Sequence, residues 1–223
     1  MRHIEEGGRD FLYYEGRLPV GVVLVHEIMG RDAYAESVAG DLSREGYHVV
    51  AVDLYSGRLA KELVEARAIR DSLRDDEVRG NISDAWHILR ERYGSASRTG
   101  IMGFCMGGGI ALQAACEMDF DLCIDYYGMM QDVEKVKGLN GPLTLFLGAE
   151  DHRVTPWAID SLVPAMRRYG KLVEVHVFPN AGHAFHRPGW PGHEPTAAKA
   201  AWARTLDILK GVSEEARGLG SRA

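Results

Sequence analysis

Gly103-Phe104-Cys105-Met106-Gly107-Gly108-Gly109 sets a cysteine among small residues, directly after the run Thr99-Gly100-Ile101-Met102 and before Ile110-Ala111-Leu112. A chain that turns sharply from strand to helix strains the residue at the corner. Small residues two before and two after that corner let neighbouring backbone pass without a Cβ clash. Gly103 and Gly107 meet that need. At the first turn of such a helix, the macrodipole and the unpaired N–H groups favour a thiolate, so Cys105 is a candidate nucleophile. The competing reading is a phosphate loop with cysteine as a small packing residue. The segment lacks the Lys-Ser/Thr of a P-loop, and the acidic residue of a dinucleotide fingerprint is not evident. Cys116 and Cys123 lie in apolar stretches and read as packing residues.

A thiol nucleophile needs an imidazole within hydrogen-bond reach and a carboxylate to fix the ring's tautomer. Two segments supply candidates in the chain order nucleophile, acid, histidine that α/β-hydrolases use. Asp151 follows the run Thr144-Leu145-Phe146-Leu147-Gly148, and His183 follows Glu174-Val175-His176-Val177-Phe178. Spacing alone does not rank neighbours on a loop, so Glu150 competes with Asp151, and His152 and His186 compete with His183. The preferred pair is Asp151 and His183. His3, His48, His87, His176 and His193 read as solvated. His183, His186 and His193 share a loop with Pro188 and Pro191, and no cysteine or carboxylate cluster has ligand spacing, so no metal is expected.

These residues need rigid elements behind them, and the chain alternates short apolar runs with longer amphipathic stretches. Val20 to His26 is followed by a helical pattern from Ala33 to Glu45, and Tyr47 to Asp53 by one from roughly Leu59 to Arg92. Arg98 to Phe104 leads to Gly107 to Glu117. Strand patterns at Leu122 to Tyr127, Leu143 to Gly148 and Leu172 to Phe178 then interleave with helices at about Trp157 to Tyr169 and Thr196 to Lys210. Runs apolar at consecutive positions suit parallel strands covered on both faces. The predicted fold class is α/β, a doubly wound and mostly parallel sheet with helices on both faces, in which ligands bind beyond the strand C-termini. Thr155-Pro156 reads as an N-cap with proline at the first helical position, and Asn140-Gly141-Pro142 as a break before a strand.

Composition narrows the rest. A chain of 223 residues, 46% hydrophobic and 26% charged, is long enough to bury a sheet without disulfides or metal, and one domain over 1–223 is expected. Its net charge of -6 argues against nucleic acid, which needs a concentrated basic surface. No apolar stretch is long enough for a membrane span, and residues 1–10 lack the core of a secretory signal, so a cytoplasmic protein is expected. Three cysteines without CxxC spacing suggest neither a disulfide framework nor a zinc ribbon.

HEIMG at His26–Gly30, GFCMGG at the turn, GAEDHRV at Gly148–Val154 and AGHAFHR at Ala181–Arg187 together resemble the dienelactone hydrolase (carboxymethylenebutenolidase) family, from roughly Val20 to Leu209. The resemblance implies an α/β-hydrolase fold and cleavage of a small-molecule ester or lactone through Cys105, His183 and Asp151, with no cofactor. By motif match it makes Glu27 the carboxylate that helps form the thiolate when a substrate carboxylate arrives. It gives the N–H groups of Ile28 and Met106 to the oxyanion, and Arg187 to the substrate carboxylate. Glu27 also reads as a solvated loop carboxylate and Arg187 as a surface arginine. A second family arginine does not align cleanly, with Arg67 and Arg70 as candidates, and Trp190 is the tryptophan expected nearest substrate. Two other readings stand beside this one: a general carboxylesterase or thioesterase, and a non-catalytic redox-sensing or binding homologue. A monomer or weak homodimer is expected.

Overall fold

A computed structural model describes residues 1–93 and 98–220. The chain packs as two compact units, one formed by residues 1–100 and the chain from 211 onward, the other by residues 101–210.

In the first unit, strands β1 (Arg2–Glu6), β2 (Arg9–Tyr14), β3 (Val20–Val25) and β4 (His48–Ala51) lie in the order β1-β2-β4-β3. β3 and β4 are parallel and wholly buried, as their consecutive apolar residues predict. Helix α1 (Ala33–Arg44) joins them, opened by the Asp32 carboxylate, which accepts the N–H groups of Tyr34 and Ala35. The first two strands form an antiparallel hairpin turned by Gly7 and Gly8, both at positive φ, and β2 pairs antiparallel with β4. Charged and exposed β1 offers no apolar alternation, so the run pattern alone passed over it. The stretch from Leu59 to Arg92 divides into α2 (Leu63–Asp71) and α3 (Asp75–Tyr93). Ser72 ends the first, its hydroxyl bonded to the Ile69 carbonyl, and the acids at 75, 76 and 77 suit the start of the second. His48 is a correction: it is buried in β4, where its Nδ1 accepts from Gly16 N–H, and the Tyr13 hydroxyl lies 2.9 Å from the same atom.

In the second unit the strand order is β5-β6-β7-β8, with β5 at Arg98–Phe104, β6 at Leu122–Tyr126, β7 at Leu143–Gly148 and β8 at Val173–Phe178. β6, β7 and β8 run parallel. Helix α4 (Met106–Glu117) follows β5, and a 3₁₀ turn at Val133–Gly138 precedes β7. The predicted helix from Trp157 is α5 (Val154–Trp157), a π turn (Ala158–Leu162) and α6 (Val163–Arg168), the π turn ending two residues before Pro164, which has no N–H to continue the ladder. Thr155 is not the N-cap: its hydroxyl bonds back to the Gly148 carbonyl, and the Asp151 carboxylate caps the first turn instead. The last helix, α7 (Pro195–Gly220), fastens to β6 through a 2.7 Å hydrogen bond between Thr205 and the Tyr126 hydroxyl. Phe104, Tyr126, Phe146 and Phe185 build the aromatic core. Among the described residues no helix is long and apolar enough to cross a membrane.

Candidate active site

Cys105 stands at the corner between β5 and α4 with φ at +52°, a conformation costly for any residue bearing a Cβ. The corner is held from several sides. A methyl on Gly103 would overlap the Gly107 carbonyl, so the two glycines pass backbone against backbone. Cys105 N–H donates to the Tyr126 carbonyl at 2.9 Å, and the Cys105 carbonyl accepts Gly108 N–H at 3.1 Å, which starts the helix. The thiol is thereby fixed by main chain and stays partly exposed.

The loops after β7 and β8 are tied together before they reach the thiol. Ala149 N–H donates to the Phe178 carbonyl and Glu150 N–H to the Ala181 carbonyl, each at 2.9 Å. Asn180 and Ala184, both at positive φ, bend the second loop around His183. The His183 ring then spans two partners, with Nδ1 2.6 Å from Asp151 Oδ2 and Nε2 3.0 Å from Cys105 Sγ. The other Asp151 oxygen accepts from the amides of Arg153 and Val154, which fixes the carboxylate's rotamer. Tyr127 sets its ring edge-on to His183 with centroids 5.4 Å apart.

Electrostatics follow from these contacts. Burial by itself would lower the proton affinity of His183, but the hydrogen bonds and charges of Asp151 and Cys105 outweigh it and lift the pKa to about 10. Burial would raise Asp151, yet the imidazole and two backbone amides hold it below the ordinary carboxylate value. The pair therefore reads as carboxylate against imidazolium. The competing residues lie elsewhere: Glu150 and His152 are exposed. His186 sits among Phe104, Tyr126 and Trp202, where burial, then the charge of His193, pushes its pKa down to about 4.

Met106 is the first residue of α4, next to the thiol. Arg187 stacks over Trp190, with its guanidinium carbon 5.0 Å from the ring centroid. In the first unit, Glu27 is buried at the end of β3, and the Ile28 carbonyl accepts the Tyr55 hydroxyl at 2.9 Å. His26 does work there that the sequence reading passed over. Its Nε2 accepts Leu54 N–H, so Nδ1 carries the proton and donates to the Glu27 carbonyl at 2.6 Å, tying the segments after β3 and β4 together. Its place beside Glu27 in HEIMG was the available signal. Arg67 is exposed, and Arg70 pairs with Asp71 at 2.6 Å. Among the described residues no three His, Cys, Asp or Glu side chains gather in a way that could hold a metal ion.

Comparison with known proteins gives the family and the fold. The model of the dienelactone hydrolase family matches residues 14–213. A Bradyrhizobium protein named "Probable 2-oxo-3-(5-oxofuran-2-ylidene)propanoate lactonase" is 28% identical over 210 residues, covering 87% of this chain and 84% of its own. Carboxymethylenebutenolidase of Pseudomonas putida is 27% identical over 199 residues, covering 84% of each. Among solved structures, a dienelactone hydrolase-like promiscuous phosphotriesterase from metagenomic libraries superposes with a TM-score of 0.80 at 20% identity, over 95% of this chain and 97% of that one. That likeness carries the fold: a mixed sheet flanked by helices, as in α/β-hydrolases.

Proposed function

Because this chain belongs to the dienelactone hydrolase family, we propose that it hydrolyses a small ester or lactone by acyl transfer to Cys105, with His183 as proton carrier and Asp151 as its orienter. The carrying observation is that one imidazole lies 2.6 Å from a buried carboxylate and 3.0 Å from a thiol held at a strained strand-to-helix corner. In this reading the thiolate attacks the acyl carbon, and the carbonyl π electrons move to oxygen. Met106 N–H, at the head of α4, donates to that developing oxyanion. Collapse expels the alkoxide, which takes the proton from His183 Nε2 and leaves a thioester on Cys105. Water gives a proton to the neutral imidazole and attacks the thioester, releasing the acid and restoring the thiolate. Glu27 and Ile28 carry the roles that the family resemblance implies, and Arg187 holds a substrate carboxylate by its guanidinium.

The test pairs a dienelactone bearing a carboxylate with a neutral p-nitrophenyl ester of similar size, using the natural protein, Cys105→Ala and Arg187→Ala. We expect Cys105→Ala to lose about three orders of magnitude or more in kcat/KM on both substrates. Arg187→Ala should weaken the lactone preference by about tenfold, the scale of one charge-assisted contact. Hydrolysis undiminished in pure Cys105→Ala overturns the nucleophile. Turnover of the neutral ester alone turns the protein into a general carboxylesterase and removes the role of Arg187.

A further inference from the structure

β6 carries one residue that its pattern does not call for. In Leu122-Cys123-Ile124-Asp125-Tyr126 every position is buried, and Asp125 is a carboxylate with no exposed surface in a parallel strand. A charge in such a place is unfavourable unless something holds it. Asp125 Oδ1 accepts Gly128 N–H at 2.7 Å, whereas Oδ2, also buried, has no hydrogen-bond partner among the described residues. Burial raises its pKa to about 7, against the opposing effects of the Gly128 amide and the charge of His183. Cys123 and His183 are the titratable groups whose electrostatics it shares.

The turn that Asp125 grips is the one that seats the proposed nucleophile and base. Within it, Tyr127 has φ at +44°, and the bond from Gly128 N–H back to Asp125 closes the loop around that strained residue. The Tyr126 carbonyl receives Cys105 N–H, and the Tyr127 ring abuts His183. The turn also meets the head of α4 without side chains between them. A methyl on Gly108 would overlap Asp125 Oδ1, and one on Gly128 would overlap Gly109 N. We propose that Asp125 is a positioning residue, clamping the Tyr126–Gly128 turn so that one side of it fixes Cys105 and the other fixes His183. This inference rests on the reading of Cys105 and His183 as nucleophile and base.

Asparagine keeps the acceptor for Gly128 N–H, and alanine removes it. We therefore expect Asp125→Ala to lower kcat for p-nitrophenyl ester hydrolysis at least tenfold, with KM within twofold, and to slow alkylation of Cys105 by iodoacetamide by a similar factor. Asp125→Asn should restore both to within threefold of the natural protein. A folded Asp125→Ala with natural kcat and alkylation rate overturns the clamp, as does an Asp125→Asn variant as impaired as the alanine one. Asp125→Ser, too short to reach the same amide, carries the alanine expectation if Asp125→Ala does not fold. Cys105→Ala measured in parallel separates the two claims, because turnover there refutes the nucleophile whatever Asp125 does.

Discussion

His183 and His48 both give up water on folding, and their proton affinities move in opposite directions. Burial lowers His48, with only the charge of Glu15 opposing, because its Nδ1 meets neutral partners, the Gly16 amide and the Tyr13 hydroxyl. The same desolvation acts on His183, yet Asp151 and Cys105 carry its pKa to about 10. What an imidazole touches, more than how deeply it lies, decides whether it holds a proton. The thiols differ in their surroundings. Cys105 meets an imidazole 3.0 Å away, whereas burial first, and the charge of Glu117 second, push Cys116 up to about 12. Cys123 is driven well above the ordinary thiol value by burial.

Asp151→Asn attacks the contrast at its source. Without the carboxylate, His183 should lose its proton at a pH much nearer that of a plain buried ring, and kcat/KM should fall by roughly two to four orders of magnitude, the scale known for such orienters. Histidine titration by NMR beside steady-state kinetics reads both; an unchanged His183 midpoint would sink the argument. Among the thiols, iodoacetamide at neutral pH should modify Cys105 at least about a hundredfold faster than Cys116 or Cys123, which react only once the protein unfolds. Peptide mapping by mass spectrometry checks it, and comparable labelling of Cys116 would break the distinction.

The smallest effect is on stability. His183 and Asp125 both have folded-state pKa values raised above their ordinary ones, from 6.5 to about 10 and from 3.8 to about 7. A raised group stabilises the fold fully below its unfolded pKa and loses that contribution as pH climbs through the folded one. Asp125 thus gives a decline between about pH 4 and 7, and His183 one between about pH 6.5 and 10. Each has a limiting slope of about 1.4 kcal/mol per pH unit, and for partly exposed His183 solvent reduces it. Urea denaturation across pH should show Asp125→Asn flattening the lower window and leaving the upper one; equal slopes in both proteins would refute the assignment.

The sequence was most legible where one physical demand acts alone. Strands β3, β4 and β7 are buried on both faces, so consecutive apolar residues announce them. Cys105, Asp151 and His183 lie just beyond strand ends because those loops can carry polar groups without burying unpaired backbone. Spacing alone did not rank Asp151 above Glu150, since that depends on which neighbour turns inward to accept two amides, and the preference for Asp151 is the one that the resemblance also implies. β1 was hidden because a charged edge strand has no buried face to reveal it. Asp125 was passed over, because the run pattern reads β6 as one more apolar strand and says nothing of a carboxylate that turns back to accept Gly128 N–H.

The backbone passage of Gly103 against Gly107 has a consequence for laboratory evolution. Because a Cβ at Gly103 would run into the Gly107 carbonyl, every substitution at Gly103 moves main chain, and with it the thiol. Libraries that randomise residues 103–109 should therefore return mostly inactive clones, whereas libraries at Arg187 and Trp190, stacked with 5.0 Å between guanidinium carbon and ring centroid, should keep more active ones, and any shift in their substrate preference tests the proposed role of Arg187.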